Sequence, residues 1–435
     1  MGDWKRTYRA VWLANLITAV GMMSFLPFFP SLLEEMGVSG DAAVRAWAGA
    51  IFGAAPLSAT LMSPIWGALG DRLGRKLMVC RAMFAIALFV GGMYFASTPL
   101  QLLLMRIGQG LFSGFIPPSI TLVSVAAPPS KQGRVAADLT TALALGGMLG
   151  PMLGGWIFTV TGSHRTVFLF VGAAALVSAG LVAYFAEENP DHRQRGAGRH
   201  TLKSMLAGTR RDLREVFANP TMRGMALLLF SLQFGLGAVN PVLELLVRDQ
   251  VSGEHLGAWA WVARWMPGVS VKSPETIQVL ATSVLFGGMA VCNLVSLPLW
   301  GRYGDRVGHR KALAYCALGS LVSLIIQAST NDYSMLFLGR MLMGVAMAGS
   351  GPLAFGLAAG QVGAERRGGA FGVVFSARTL AVAVGGAVGG VLSSVIGVRG
   401  LMWLSAVVLG AVLLQLRARE ARATGSVARR AAGPN

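Results

Sequence analysis

Long apolar runs separated by short polar turns dominate this sequence. A helix rises about 1.5 Å per residue and the hydrocarbon core of a bilayer is about 30 Å thick, so roughly 20 apolar residues span it. Runs of that size fall at about 10–33, 47–69, 77–96, 101–125, 136–160, 166–186, 222–247, 276–300, 311–329, 333–358, 369–395 and 399–416. They predict an all-α integral membrane protein with twelve transmembrane helices. Composition agrees: 54% of residues are hydrophobic and 13% charged, with mean hydropathy +0.60. A soluble domain usually carries about 25% charged residues. The 57 glycines and 21 methionines suit close packing between membrane helices, where small residues let backbones approach.

The chain repeats itself. The basic turn Gly67-Ala68-Leu69-Gly70-Asp71-Arg72-Leu73-Gly74-Arg75-Lys76 has a near copy at Gly301-Arg302-Tyr303-Gly304-Asp305-Arg306-Val307-Gly308-His309-Arg310-Lys311. The offset from Gly67 to Gly301 is 234 residues, and the same offset separates Arg106 from Arg340. Two features repeated at one spacing indicate an internal duplication. Residues 1–187 and 222–416 form the two expected halves, joined by a basic connector, 188–221, and followed by a basic tail, 417–435.

The net charge of +18 has two explanations: nucleic-acid binding, or the positive inner loops of membrane proteins. Position decides between them. Twelve spans put both termini on one side. That side then carries 27 Lys and Arg, the other carries 6, and Arg106, Arg223, Arg340 and Arg378 lie within or at the edge of spans. The rich side is expected to be cytoplasmic, in a cell (inner) membrane, and no nucleic acid is needed to account for the charge. Cys80, Cys292 and Cys316 lie in or beside apolar runs without ligand spacing and read as small apolar residues. Thr201–Phe217 reads either as an amphipathic helix on the membrane surface or as a solvated linker. Trp259, Trp261 and Trp265, in the outer loop 248–275, read as interfacial anchors or as a lid.

The repeated turn has its own chemistry. Glycines permit a tight reversal between spans. Asp71 and Asp305 could accept hydrogen bonds from helix N-terminal amides or pair with an arginine, latching two bundles in one state. The other reading is that its cations only fix topology. In the fifth run, Gly146, Gly150 and Gly154 recur every fourth residue and share one helix face, and Pro151 bends the helix. The counterpart Gly385-Gly386-Ala387-Val388-Gly389-Gly390 lacks the proline and is expected to keep a packing role. Arg106 lies inside an apolar run. An intramembrane charge there is either functional or snorkels to the outer end.

These motifs resemble the major facilitator superfamily, and within it the twelve-span bacterial multidrug:proton antiporters. The family's loop motif matches Gly67, Gly70, Asp71, Arg72, Gly74, Arg75 and Lys76, with Gly301, Asp305, Arg306, Arg310 and Lys311 in the second copy. Its span-4 motif matches Arg106, Gln109, Gly110 and Gly114. Its antiporter motif matches Gly146, Gly150, Pro151, Gly154 and Gly155. Span 1, ending in Pro27-Phe28-Phe29-Pro30, resembles bacterial exporters of this group. The resemblance implies two pseudo-symmetric six-helix bundles around a central cavity, which rock to alternate access. The loop motifs would gate it. The implied function is export of small lipophilic or cationic compounds by proton antiport. The alternative is a major facilitator carrying a specific sugar, metabolite or siderophore.

The sequence departs from many such exporters in having no acidic residue within span 1 before Glu34 and Glu35. Candidates for proton coupling are therefore Arg106, Glu244 and Asp138, with an Arg134–Asp138 pair as the plainer reading of the last. Candidates for the cavity are Asn15, Phe25, Gln109, Phe112, Phe230, Gln233, Asn240, Arg340 and Arg378. Each is otherwise ordinary glue between helices. An enzyme is not expected: the five histidines are scattered, and HExxH and a Gly-Lys-Ser/Thr phosphate loop are both missing. No metal or cofactor is expected. The partners foreseen are a small-molecule substrate, protons and the lipid bilayer, around a monomer.

Overall fold

The computed structural model describes residues 4–128, 131–188, 214, 218–251, 274–361 and 367–431. The side chains of Gly67, Asp71, Arg72 and Arg134, the Trp259–Trp265 cluster and, Arg214 apart, the Thr201–Phe217 segment lie outside the described parts. In the first half, α1 (Trp4–Ser24) passes through a 3-10 turn (Leu26–Phe28) into α2 (Phe29–Glu35). There follow α3 (Asp41–Leu73), α4 (Arg75–Gly92), α5 (Pro99–Phe112), α6 (Ile116–Ala126), α7 (Gln132–Thr161) and α8 (Thr166–Phe185). The second half has α9 (Pro220–Val239), a 3-10 turn (Asn240–Val242), α10 (Leu243–Gln250) and α11 (Pro274–Val307). It ends with α12 (His309–Ser329), α13 (Tyr333–Ala348), α14 (Ser350–Gln361) and α15 (Arg367–Ala431).

Eleven segments of the described residues are long and apolar enough to cross a membrane. The last, Ser376–Ala418, has 43 residues, about 65 Å of helix and twice the hydrocarbon thickness. Gly397, with φ 73°, breaks the helical backbone inside α15. The segment is therefore long enough for two crossings, as a chain of twelve spans requires. The helix also runs beyond the predicted end of the last span, to Ala431.

Both Gly-rich turns fold alike. Gly74 (φ 104°) separates α3 from α4, and Gly308 (φ 90°) separates α11 from α12. Such positive φ values strain any residue with a Cβ, so the duplicated glycine is a backbone requirement. The face carrying these turns is called the turn face below, and its opposite the far face.

One predicted span is corrected. Residues 101–125 were expected as a continuous helix, but it breaks at Ser113–Phe115. Gly114 has φ 127°, and Pro117 and Pro118, at the start of α6, have no N–H to give to the preceding turn. Spans 1 and 7 also break, each at a 3-10 turn whose second residue is proline, Pro27 and Pro241.

Glycine sets how the halves meet. An ideal Cβ at Gly146, Gly150 or Gly154 would fall within 2.4–2.6 Å or less of α1, the last only 1.9 Å from the Ser24 carbonyl oxygen. The predicted face of α7 therefore packs on its own half. The adjoining face turns to α11, where a Cβ at Gly155 would lie 2.1 Å from Ser283 Oγ. α15 does the same: Gly385 and Gly389 pack on α9, while Gly386 and Gly390 meet Gly49 and Gly53 of α3. The expectation that this second glycine run packs helices holds, and its partners extend to both halves.

Overpacking a helix contact costs about 1–3 kcal/mol. Gly154→Val is expected to lower the thermal stability of the purified protein by that order. Gly301→Val, whose Cβ would meet nothing within 4 Å, is expected to leave it nearly unchanged. Thermal unfolding followed by size-exclusion chromatography compares the two.

Candidate functional site

A cavity of about 990 Å³ lies between the halves, walled chiefly by α1, α3, α4, the α5–α6 break, α7 and α15. It runs from Leu26 and Pro27, beneath the far face, to Gly70 and Arg75 at the turn face. Much of its wall is apolar, including Met22, Met23, Phe52 and Phe286. Of the predicted cavity residues, Gln109 and Asn240 line it, and so do Pro151 and Arg106.

The other predicted cavity residues sit elsewhere. Asn15 is buried and accepts a hydrogen bond from Ser119 Oγ at 3.1 Å, joining α1 to α6. Phe25 is buried against Phe29 and Phe168. Phe112 is exposed on the outer surface, stacked on Phe89. Phe230 stacks on Phe234. Gln233, with its amide oxygen turned to Arg378, accepts from Nε at 3.3 Å and Nη2 at 3.2 Å. These six, with Arg340, act in packing or in polar ties behind the cavity wall.

Arg106 does not snorkel; it is 3% exposed. Its Nε donates to Ile51 O at 3.1 Å, Nη2 to Phe52 O at 3.3 Å and Nη1 to Gln109 Oε1 at 2.6 Å. Proline supplies one of these acceptors. Residue 56 is Pro56, with no N–H for the carbonyl four residues earlier, so Phe52 O is free to take the guanidinium. Phe25 and Phe29 flank the cation, each with its ring centre 5.7 Å away. Its copy, Arg340, is 2% exposed and donates from Nη2 to Asn240 Oδ1 at 3.2 Å, with Phe286 at 5.5 Å. Each arginine ties a broken or proline-bearing span to its neighbours.

The far face is closed by ionic contacts between the halves. Glu244 in α10 is 1% exposed; its carboxylate accepts from Ser31 Oγ and from Ser31 N at 3.3 Å, both on α2. Arg248 lies 3.4 Å from Glu244, donates to Ser31 Oγ and pairs with Glu34. Arg45 Nη1 donates to Ser393 O at 3.2 Å, fastening α3 to α15. Buried His164, held between Phe158 and Phe28, pairs with Glu35 nearby. Ser31 and His164 were not singled out in the sequence, because more than 120 residues separate each from its carboxylate partner. Arg248 does lie four residues from Glu244, but its contacts to Ser31 and Glu34 are equally distant in sequence.

At the turn face, the N-terminus of α4 is capped by Glu188. Its carboxylate accepts from Arg75 N at 2.7 Å and from Lys76 N at 3.2 Å. The positive end of α4 favours that charge. In the second copy Asp305 is exposed and lies 3.7 Å from His309 Nε2 within the same turn. Asp138 accepts from Tyr8 at 3.2 Å, tying α7 to α1.

Lysine at position 106 keeps the charge but not the three-point fork. Arg106→Lys is expected to cost about 2–3 kcal/mol through the acceptors left without donors. Thermal unfolding beside Arg106→Ala measures it.

Comparison with known proteins follows the same lines. Residues 11–269 and 225–433 match the Major Facilitator Superfamily profile. The chain is 28% identical over 343 residues to the multi-drug resistance efflux pump PmrA of Streptococcus pneumoniae, covering 79% of this chain and 78% of that one. It is 30% identical over 349 residues to the multidrug resistance protein MdtG of Dickeya zeae, covering 79% and 77%. Among solved structures, a bacterial homolog of the human lysosomal transporter Spinster superposes with TM-score 0.72 at 15% identity, over 94% of each chain. The nucleoside transporter NupG does so with TM-score 0.71 at 12% identity, over 95% of this chain and 98% of that one. The duplicated halves, the glycine-built interface and the sequence match agree: this chain belongs to the major facilitator superfamily.

Proposed function

We propose that this protein is a secondary active exporter of small lipophilic compounds, driven by proton entry and working by alternating access. One observation carries the reading. A cavity walled by both halves reaches the turn face, while glycine contacts and ion pairs join the halves at the far face. By the distribution of Lys and Arg the turn face is cytoplasmic, so cargo enters from the cytoplasm or the inner leaflet. Relatives named as multidrug efflux pumps and multidrug resistance proteins support export of varied compounds. A large, mostly apolar wall with a few polar groups suits such cargo. Lipophilic compounds fit better than cations, because Arg75, Arg81 and Arg106 are the charged residues among the described lining and no carboxylate joins them.

Glu244 is the residue we assign to proton coupling. It sits at the closed face, buried, and its negative charge holds Ser31 and Arg248 across the gap. A proton arriving from the far side removes that charge, weakens both ties and lets the halves part. Arg106 is a fixed charge, since a guanidinium does not deprotonate in proteins. Asp138 serves a polar tie at the turn-face end. A transporter of one metabolite by the same cycle is the second reading; a narrow substrate range would favour it.

The test uses proteoliposomes. Wild type is expected to accumulate a lipophilic dye under an imposed pH gradient and to lose this with a protonophore. Glu244→Gln is expected to lose gradient-driven accumulation but keep exchange of labelled for unlabelled dye. Accumulation that survives the protonophore removes the proton from the cycle, and normal accumulation by the variant removes Glu244.

A further inference from the structure

Arg106 has its donors engaged, whereas a second arginine of the cavity wall has none of its nitrogens paired. Arg81, in the second turn of α4, lines the cavity. Its Nε, Nη1 and Nη2 are all buried, and none has a hydrogen-bond partner. A guanidinium carries five N–H donors in a planar fork. Leaving them unpaired away from water is costly unless something else arrives to use them.

The side chain is held for such an arrival. Its guanidinium carbon lies 3.5 Å from the centre of the Trp66 ring, close enough that the group must lie flat on the indole. The indole is fixed in turn, donating from Nε1 to Leu111 O at 2.6 Å. One face of the guanidinium is therefore covered, and its nitrogens lie just behind the cavity surface rather than on it.

A second feature of the same wall has the same sign. The break in span 4 brings the N-terminal end of α6 to the cavity, with Ile116, Pro117 and Pro118 in the lining. A helix N-terminus carries partial positive charge. With no carboxylate among the described lining residues, nothing there offsets it.

We propose that Arg81, stacked on Trp66, is an anion-recognition site for the cargo, and that the preferred substrates are amphipathic organic acids. The anionic head meets the edge of Arg81 as that side chain swings into the cavity, and the apolar body lies along Met22, Phe52 and Phe286. This rests on the exporter reading and names its substrate class.

Three probes with one apolar body test it: pyrenebutyrate, pyrenebutanol and pyrenebutyltrimethylammonium. Their exchange is measured in phosphatidylcholine proteoliposomes containing wild type, Arg81→Gln or Arg81→Lys. Wild type is expected to prefer the carboxylate. Arg81→Gln is expected to weaken its half-saturation about tenfold, the effect of losing a charge-assisted hydrogen bond, while the alcohol changes less than about twofold. Arg81→Lys is expected to restore part of the preference. Equal loss for all three probes would make Arg81 structural and overturn the proposal, as would a wild-type preference for the alcohol or the cation. Exchange of none of the probes by wild type would instead overturn the exporter reading. A repeat with phosphatidylglycerol separates two sources of the anion. If that lipid abolishes carboxylate exchange in wild type but not the alcohol exchange of Arg81→Gln, the site belongs to a lipid headgroup and the cargo assignment falls.

Discussion

Hydrocarbon offers no partner to a stranded polar group, and the arrangement of this protein follows from that constraint. Proline frees a carbonyl in α3, and Arg106 collects it. The opened end of span 7 leaves Asn240 free to accept from Arg340. Glu188 takes the amides at the start of α4. In each case an interruption in one helix is repaired by a side chain from another. The repairs double as cross-braces, so the flexible points of the spans are also the points best tied to their neighbours.

The two halves share this plan without sharing its details. The corner glycines, the buried arginines and the two-faced glycine helices repeat. The groups that satisfy them differ. Arg106 binds mainly backbone, whereas Arg340 binds an asparagine side chain. α4 has a carboxylate at its N-terminus, whereas His309 starts α12 and faces Asp305 within its own turn. Duplication preserved the backbone requirements, which few residues meet, and let the polar partners diverge, because many residues can accept a hydrogen bond.

That distinction also explains what could be read from the sequence. Corner glycines, the face of α7 and the twelve crossings are local, repeating patterns, and they were legible. So was the apolar run around Arg106, though not whether the side chain snorkels, nor that Ile51 and Phe52 receive it. Partners were not legible where they come from distant segments: Ser31 with Glu244, Glu188 with Arg75 and Lys76, Trp66 with Arg81. The break in span 4 did leave a signal, Gly114 followed by Pro117 and Pro118, which the length of the apolar run masked. Aromatic residues carried little information, since Phe25, Phe112 and Phe230 found other rings in the packing rather than the cavity.

The far-face seal has a consequence for how easily it parts. Beside apolar contacts such as Phe28 and Phe158 with Val279, it uses backbone and charged groups: glycines against the carbonyls of Arg45, Ala383 and Gly386, and the carboxylates of Glu34 and Glu244. These are groups that water solvates well. A seal of interdigitated leucines would exact a hydrophobic penalty each time it opened to solvent, about 25 cal/mol for every Å² exposed. Here solvent replaces the polar part of the lost contacts in kind, which leaves a smaller apolar part to be exposed. A seal of this composition thus costs less to open than a wholly apolar one of the same area.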